Sequence, residues 1–289
     1  MSTRLPVLKT FKLFINGKFP RAESGRTLVA KHPGTGRHLA NYGQASRKDL
    51  REAVVAARQG AKVWAGATAY LRGQILYRLA EMLESREAAL AQEMADSTGA
   101  TWESARAEVA ASVDRLVYYA GWTDKLSQVL GTVNPVASPH FNFTLPEPTG
   151  VVGIVAPDSP CLLGAITMLA AVLAGGNAAI LLPSAKFPLP ALTLGEVVAT
   201  SDVPPGVVNI LSGPHAELVQ TLADHMDVNA VADGSGEALT RKILQLGVAK
   251  NLKRLAAWEL DWADDAAAQS PYLIAKTLEM KTAWHPMGV

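Results

Sequence analysis

A single cysteine, Cys161, stands in a chain of 289 residues. Neither an internal disulfide nor a cysteine-based metal cluster is therefore available, and a reducing compartment, the cytoplasm, is expected. An excess of one charge is lacking as well: 27 Lys and Arg face 26 Asp and Glu, with no basic block. Nucleic acid and anionic membrane are accordingly not expected as partners. Long apolar runs are also missing. The longest, Cys161 to Ala174, has 14 residues, short of the ~20 that a spanning helix needs. The opening MSTRLPVLKTFKLFING has no continuous apolar stretch, so no secretory leader is expected. His32, His38, His140, His215, His225 and His285 are scattered without metal-ligand spacing, so no metal is expected. Tyr118, Tyr119 and Trp122 have no basic residues interleaved with them, and are read as packing rather than as a platform for bases.

What is present is an alternation. β-rich runs at Gly150–Ala156, Asn177–Pro183, Val207–Ser212, Val228–Asp233 and Arg254–Leu260 alternate with helical runs at Cys161–Ala174, Pro188–Thr200, His215–His225 and Ser235–Leu246. Alternating strand and helix implies right-handed crossovers and a parallel sheet covered on both faces. The fold class is α/β, a doubly wound parallel sheet of Rossmann type, over residues 150–262. Residues 1–131 are expected to form a hairpin and helices packed on that sheet. Phe11–Phe19 predicts the hairpin, turning at Asn16-Gly17, and Thr27–Ala30 a further strand. Ser46 with Asp49 predicts a capping box opening a helix to about Val63. Helical periodicity continues through Tyr70–Ser85, Glu87–Asp96 and Trp102–Leu130. Residues 132–149, with prolines at 135, 139, 146 and 148, read as an extended β-arm. Residues 263–289 close the chain, with a helix-like YLIAKTLEM and then an extended end.

Several motifs in order resemble the aldehyde dehydrogenase superfamily: FINGKF near the start, EPTGVVGIVAP entering the sheet, LAGGN at 173–177, VPPGVVN at 203–209, Gly234-Ser235 with Glu237, and WEL at 258–260. The resemblance covers residues 11 to about 262. It implies that the C-terminal strand, LEMKTAWHPMGV, is an oligomerisation strand. It also assigns positions, and many of them depart from the family. The oxyanion-stabilising asparagine falls on Ser159 and the neighbouring tryptophan on Asp158. The lysine and glutamate that hold the adenine ribose fall on Leu182 and Ala185. Losing two such hydrogen bonds costs about 3 to 6 kcal/mol, roughly two to four orders of magnitude in affinity. The glycine-rich turn keeps only Gly213, with His215 and Val219 expected to crowd it. The pyrophosphate-facing motif becomes Ala232-Asp233-Gly234-Ser235, where Gly234 and Ser235 remain as cofactor-binding candidates opening a helix, with the Asp233 carboxylate beside them. The general-base glutamate falls on Glu259, and the glycines after it on Asp261 and Trp262.

The family's nucleophilic cysteine and the domain carrying it belong after this point, and the terminal strand follows instead. Cys161 sits in an apolar run and is read as a structural thiol. The resemblance therefore implies a non-catalytic member, similar to the degenerate half of the long two-domain members, with Ser159 and Glu259 as vestigial catalytic positions and no cofactor expected. Its β-arms imply a homo-oligomer, or a hetero-oligomer with a full-length aldehyde dehydrogenase. The alternative is an NAD- or NADP-dependent aldehyde oxidoreductase subunit that takes its cysteine from another chain. A third reading is a sensor for another small molecule, its crevice lined by Ser159, His215 and Asp233.

Overall fold

The computed structural model describes residues 7–288; the reading of the first six residues lies outside them. In chain order, β1 (Thr10–Phe11), β2 (Thr27–Lys31) and β3 (His38–Gly43) form a small sheet. Helices α1 (Arg47–Gly66), α2 (Ala69–Glu84), α3 (Glu87–Thr98), α4 (Trp102–Ala120) and α5 (Leu126–Leu130) follow, and then the arm strands β4 (Thr132–Asn134) and β5 (His140–Pro148). The central region runs β6 (Val151–Val155), α6 (Cys161–Ala174), β7 (Ala178–Leu182), α7 (Leu189–Val198), β8 (Val208–Ile210), α8 (His215–Asp224), β9 (Ala230–Asp233), α9 (Ala238–Ala249) and β10 (Arg254–Ala257). Short helices α10 (Asp265–Ala268) and α11 (Pro271–Ala275) lead to β11 (Leu278–Pro286).

The central sheet is entirely parallel, in the order β10-β9-β6-β7-β8. This is the doubly wound arrangement, with the strand order reversing between β6 and β9. Every residue of β6 and β7 is buried, as a parallel sheet covered on both faces requires. Successive side chains point to opposite faces. Val152, Ile154, Ala179 and Leu181 thus join one core with α2, α4, α6 and α7, whereas Val151, Val155, Ala178, Ile180 and Leu182 join a second with α1, α8 and α9. All fourteen residues of α6 are buried, which is why its sequence is apolar all round rather than striped. The α1 capping box forms: Ser46 Oγ accepts from the Asp49 N–H at 3.2 Å, and Asp49 Oδ2 accepts from the Ser46 N–H at 2.7 Å. Gly60 lets α1 approach the turn before β8, because a Cβ there would lie 2.4 Å from the Gly206 carbonyl carbon.

Several expectations are corrected. Asn16 and Gly17 do adopt the positive φ of a tight turn, joining Ile15 to Lys18. The flanking residues form a short hairpin, in which Ile15 and Lys18 exchange both backbone bonds at 3.0 Å and the Leu13 N–H donates to the Pro20 carbonyl at 3.2 Å; beyond it β1 pairs in parallel with β3, and Phe14 bridges to Ile210. Long-range partners take the rest of the segment. The helical run 102–130 breaks at Gly121 into α4 and α5. β10 stops at Ala257 rather than Leu260. The run 272–280 is not one helix; it turns at Lys276 and continues as β11.

β11 pairs antiparallel with β5 from Leu278↔Pro148 to Pro286↔His140, and β4 covers the other side of β5. Asn177, fully buried, joins this arm sheet to the core. Its Oδ1 accepts from the Gly150 N–H at 2.9 Å, and its Nδ2 donates to the Thr277 carbonyl at 3.0 Å. Among the described residues no helix is long and apolar enough to cross a membrane.

Candidate functional site

In a doubly wound sheet the ligand crevice lies beyond the carboxyl ends of the strands at the point of reversal, here the ends of β6 and β9. β6 delivers Asp158 and Ser159, β7 delivers Ser184 and Lys186, and β9 delivers Asp233, Gly234 and Ser235. Asp233 is the last residue of β9, and the others stand in the loops that follow buried strands. The arrangement at the β9 end differs from expectation. Gly236 has φ +69° and the N-cap of α9 is Glu237, so Ser235 precedes the helix by three residues instead of opening it. Asp233 is 0% exposed. Its Oδ1 accepts from the Ser235 N–H at 3.0 Å and from the Ser235 hydroxyl at 2.7 Å, and its Oδ2 pairs with Arg241 Nε. Arg241 also donates to Glu259 Oε1 at 2.9 Å. The guanidinium between two carboxylates is thereby held still more firmly protonated. Glu259 itself lies at the surface, its side chain 75% exposed.

Trp262 closes the crevice from the other side. Its indole, in a residue 6% exposed, lies against Gly164 of α6 and Gly234. A Cβ on Gly234 would stand 2.9 Å from Trp262 Cζ2 and 2.7 Å from Met168 Sδ. The backbone of Trp262 is fixed by Arg115, which is fully buried on α4 and donates to the Trp262 carbonyl at 3.2 Å, to Thr167 Oγ1 at 2.8 Å and to Asp265 Oδ1 at 2.8 Å. Tyr119 adds a bond from its hydroxyl to the Ala268 carbonyl at 2.7 Å. That role, with a T-shaped contact to Tyr118, bears out packing as the function of the Tyr118–Trp122 cluster.

At the β7 end, Ser184 and Lys186 donate to Asp158 at 2.8 and 3.0 Å. Burial raises the Asp158 pKa, but these bonds outweigh it and the carboxyl ends below its usual range. Leu182, at the ribose-lysine position, is buried in the core, and Ala185 is exposed. His215 Nε2 lies 2.8 Å from the Pro183 carbonyl. Val219 points into the second core instead of crowding the turn. Ser159 is exposed beside the crevice. Asp233 is sealed, so the polar lining expected from Ser159, His215 and Asp233 together does not form.

Cys161 begins α6, where two N–H groups of the first turn, from Leu162 and Leu163, donate to Glu108 Oε1 at 2.8 and 3.1 Å. Burial pushes the thiol pKa up, and Glu108 adds to it. A thiol held protonated is a poor nucleophile. Among the described residues no group of three or more His, Cys, Asp and Glu is placed to hold a metal ion.

The sequence motifs leave out Arg241, Lys186, Arg115 and Glu108. Arg115 leaves a signal there: a lone cation beside the buried Ser112, Leu116 and Tyr119 on one helix. Arg241 leaves none, because the positive φ at Gly236 breaks the helical count that would relate it to Asp233.

The model of the "Aldehyde dehydrogenase family" matches residues 19–261. The Bacillus subtilis (strain 168) protein DhaS, an aldehyde dehydrogenase by name, is 31% identical over 277 residues, covering 95% of this chain and 54% of that protein. An NAD+ complex of aldehyde dehydrogenase from Bacillus cereus superposes with a TM-score of 0.82 at 32% identity, covering 86% of this chain and 51% of the other. PnpE from Pseudomonas sp. WBC-3, at 30% identity, gives the same TM-score over 86% and 51%. The chain thus spans about half the length of the relatives it matches. With the doubly wound sheet and the ordered motifs in agreement, the chain belongs to the aldehyde dehydrogenase family.

Proposed function

We propose that this chain is a non-catalytic aldehyde-dehydrogenase-like subunit that acts on a full-length family member through its arm sheet. The observation that carries this reading is internal to the fold. Twenty residues, 258–277, separate the end of β10 from the start of β11, and they are spent on closing the crevice and reaching the arm. A nucleophile-bearing domain has no room between them. The crevice does not suit a dinucleotide either. Gly234 is covered by Trp262, and the donors of Ser235 are engaged by Asp233. The carboxylates of Asp158, Asp233, Glu237 and Glu259 outnumber the cations Lys186 and Arg241 at its mouth, which opposes phosphate.

Two features support the partner. β11 pairs on one side only among the described residues, Met280 and Trp284 on it are exposed, and a free strand edge takes up another strand through its backbone. A second reading has its own support: relatives have been solved as complexes with NAD+, as in the Bacillus cereus aldehyde dehydrogenase, and with nicotinamide adenine dinucleotide, as in PnpE. On that reading the chain is an NAD-dependent aldehyde oxidoreductase subunit completed by another chain's cysteine, with Gly234 and Ser235 holding the cofactor. Size-exclusion chromatography of the chain mixed with candidate full-length aldehyde dehydrogenases tests the first reading. Co-elution with one of them is expected, and it should be lost when residues 278–289 are removed. Separate elution from every candidate would contradict it.

A further inference from the structure

Doubly wound sheets bind ligands where the strand order reverses, and in this chain that place is occupied by the chain itself. The carboxylate of Asp233 takes both donors of Ser235, at 3.0 and 2.7 Å, and the guanidinium of Arg241. Its backbone is anchored too, since the Trp258 N–H donates to the Asp233 carbonyl at 2.8 Å. We infer that Asp233 is an internal anion, holding the donors and the cation that a phosphate group would otherwise engage, and so keeping this crevice closed to phosphate-bearing ligands. The inference rests on the non-catalytic reading above and deepens it, because it names Asp233, rather than the changes at Leu182 and Ala185, as the residue that withholds the phosphate-binding donors.

The physical case is competition between an intramolecular and a free anion. Asp233 is fixed at the end of a buried strand, and Arg241 is only 19% exposed, so the pair is desolvated and little screened by salt. A phosphate from solution would have to displace a carboxylate tethered beside its partners at a high effective concentration. It would leave that carboxylate buried without a counterion. Arg241 reaches Glu259 as well, so the cation is shared between two carboxylates before any ligand arrives.

Inorganic pyrophosphate is the probe, and the thermal midpoint the readout, for the wild type, Asp233→Asn and Asp233→Ser. At about 10 mM pyrophosphate the wild type is expected not to move. The variants, freed of the internal anion and binding with a Kd of about 1 mM, are expected to rise by about 2 to 4 °C. A wild type that shifts as much as the variants overturns the inference. So do folded variants as silent as the wild type, which would leave the non-catalytic reading intact. Because a variant of a buried ion pair can fail to fold, a measurement on the wild type stands beside these. The Ser235 amide, donating to Asp233, should exchange its hydrogen slowly and at a rate that pyrophosphate does not change. A fast-exchanging amide, or one slowed further by pyrophosphate, overturns the inference.

Discussion

Glu93 on α3 shows how one side chain can set a pH dependence for the whole chain. Its two oxygens accept from the Thr193 hydroxyl at 2.8 and 3.0 Å. Burial, with Glu196 adding to it, raises its pKa from about 4.5 to about 7 against the opposing pull of Thr193 and Lys9. The folded state therefore holds a proton that the unfolded chain has already released between those two values. The stability present below about pH 4.5 is lost as pH rises to about 7, and the loss is complete above that. Glu93→Gln keeps an acceptor for Thr193 and removes the titration. Glu93 is only partly shielded, so the expected gain at pH 8 is about 1 to 3 kcal/mol, falling to nothing near pH 4.5. Urea unfolding of both proteins across that range reads it. A difference independent of pH would contradict the assignment.

Among the elements, the strands and helices of the parallel sheet could be read from the sequence because burial on both faces leaves near-continuous apolar runs, as in Val151–Val155 and Ala178–Leu182. The crevice could be read only in part. The positions of Asp233, Gly234 and Ser235 were legible, but the partner of Asp233 was not, since Arg241 reaches it across a left-handed glycine that no periodicity reports. The hairpin at Asn16-Gly17 follows from its local turn signal, but the parallel pairing of β1 with β3 and the bridge from Phe14 to Ile210 do not, because distant strands decide them. Asn177, which the sequence places in LAGGN and at the start of a strand run, is the joint between sheet and arm. Asn177→Ala leaves the Gly150 N–H and the Thr277 carbonyl without this partner, at about 1 to 3 kcal/mol per buried polar group lost. A destabilisation of about 2 to 4 kcal/mol is expected, with hydrogen exchange accelerated first along Leu278–Pro286. A change below about 0.5 kcal/mol would show that the arm is held by other contacts.

At the scale of the whole molecule, a dinucleotide fold is combined with an arm sheet through a short connection. Arg115 and Tyr119 hold that connection against α4, and Trp262 on it fills the crevice. The fold and the family are those of relatives solved with NAD+, while on the proposed reading the charges and the indole at the strand ends oppose that cofactor. Calorimetric titration of NAD and NADP into the purified chain, beside a full-length family member under the same conditions, puts these two against each other. No heat of binding up to millimolar concentrations, with the full-length enzyme responding, is expected. Binding in the micromolar range would contradict a closed crevice and favour a cofactor-using subunit.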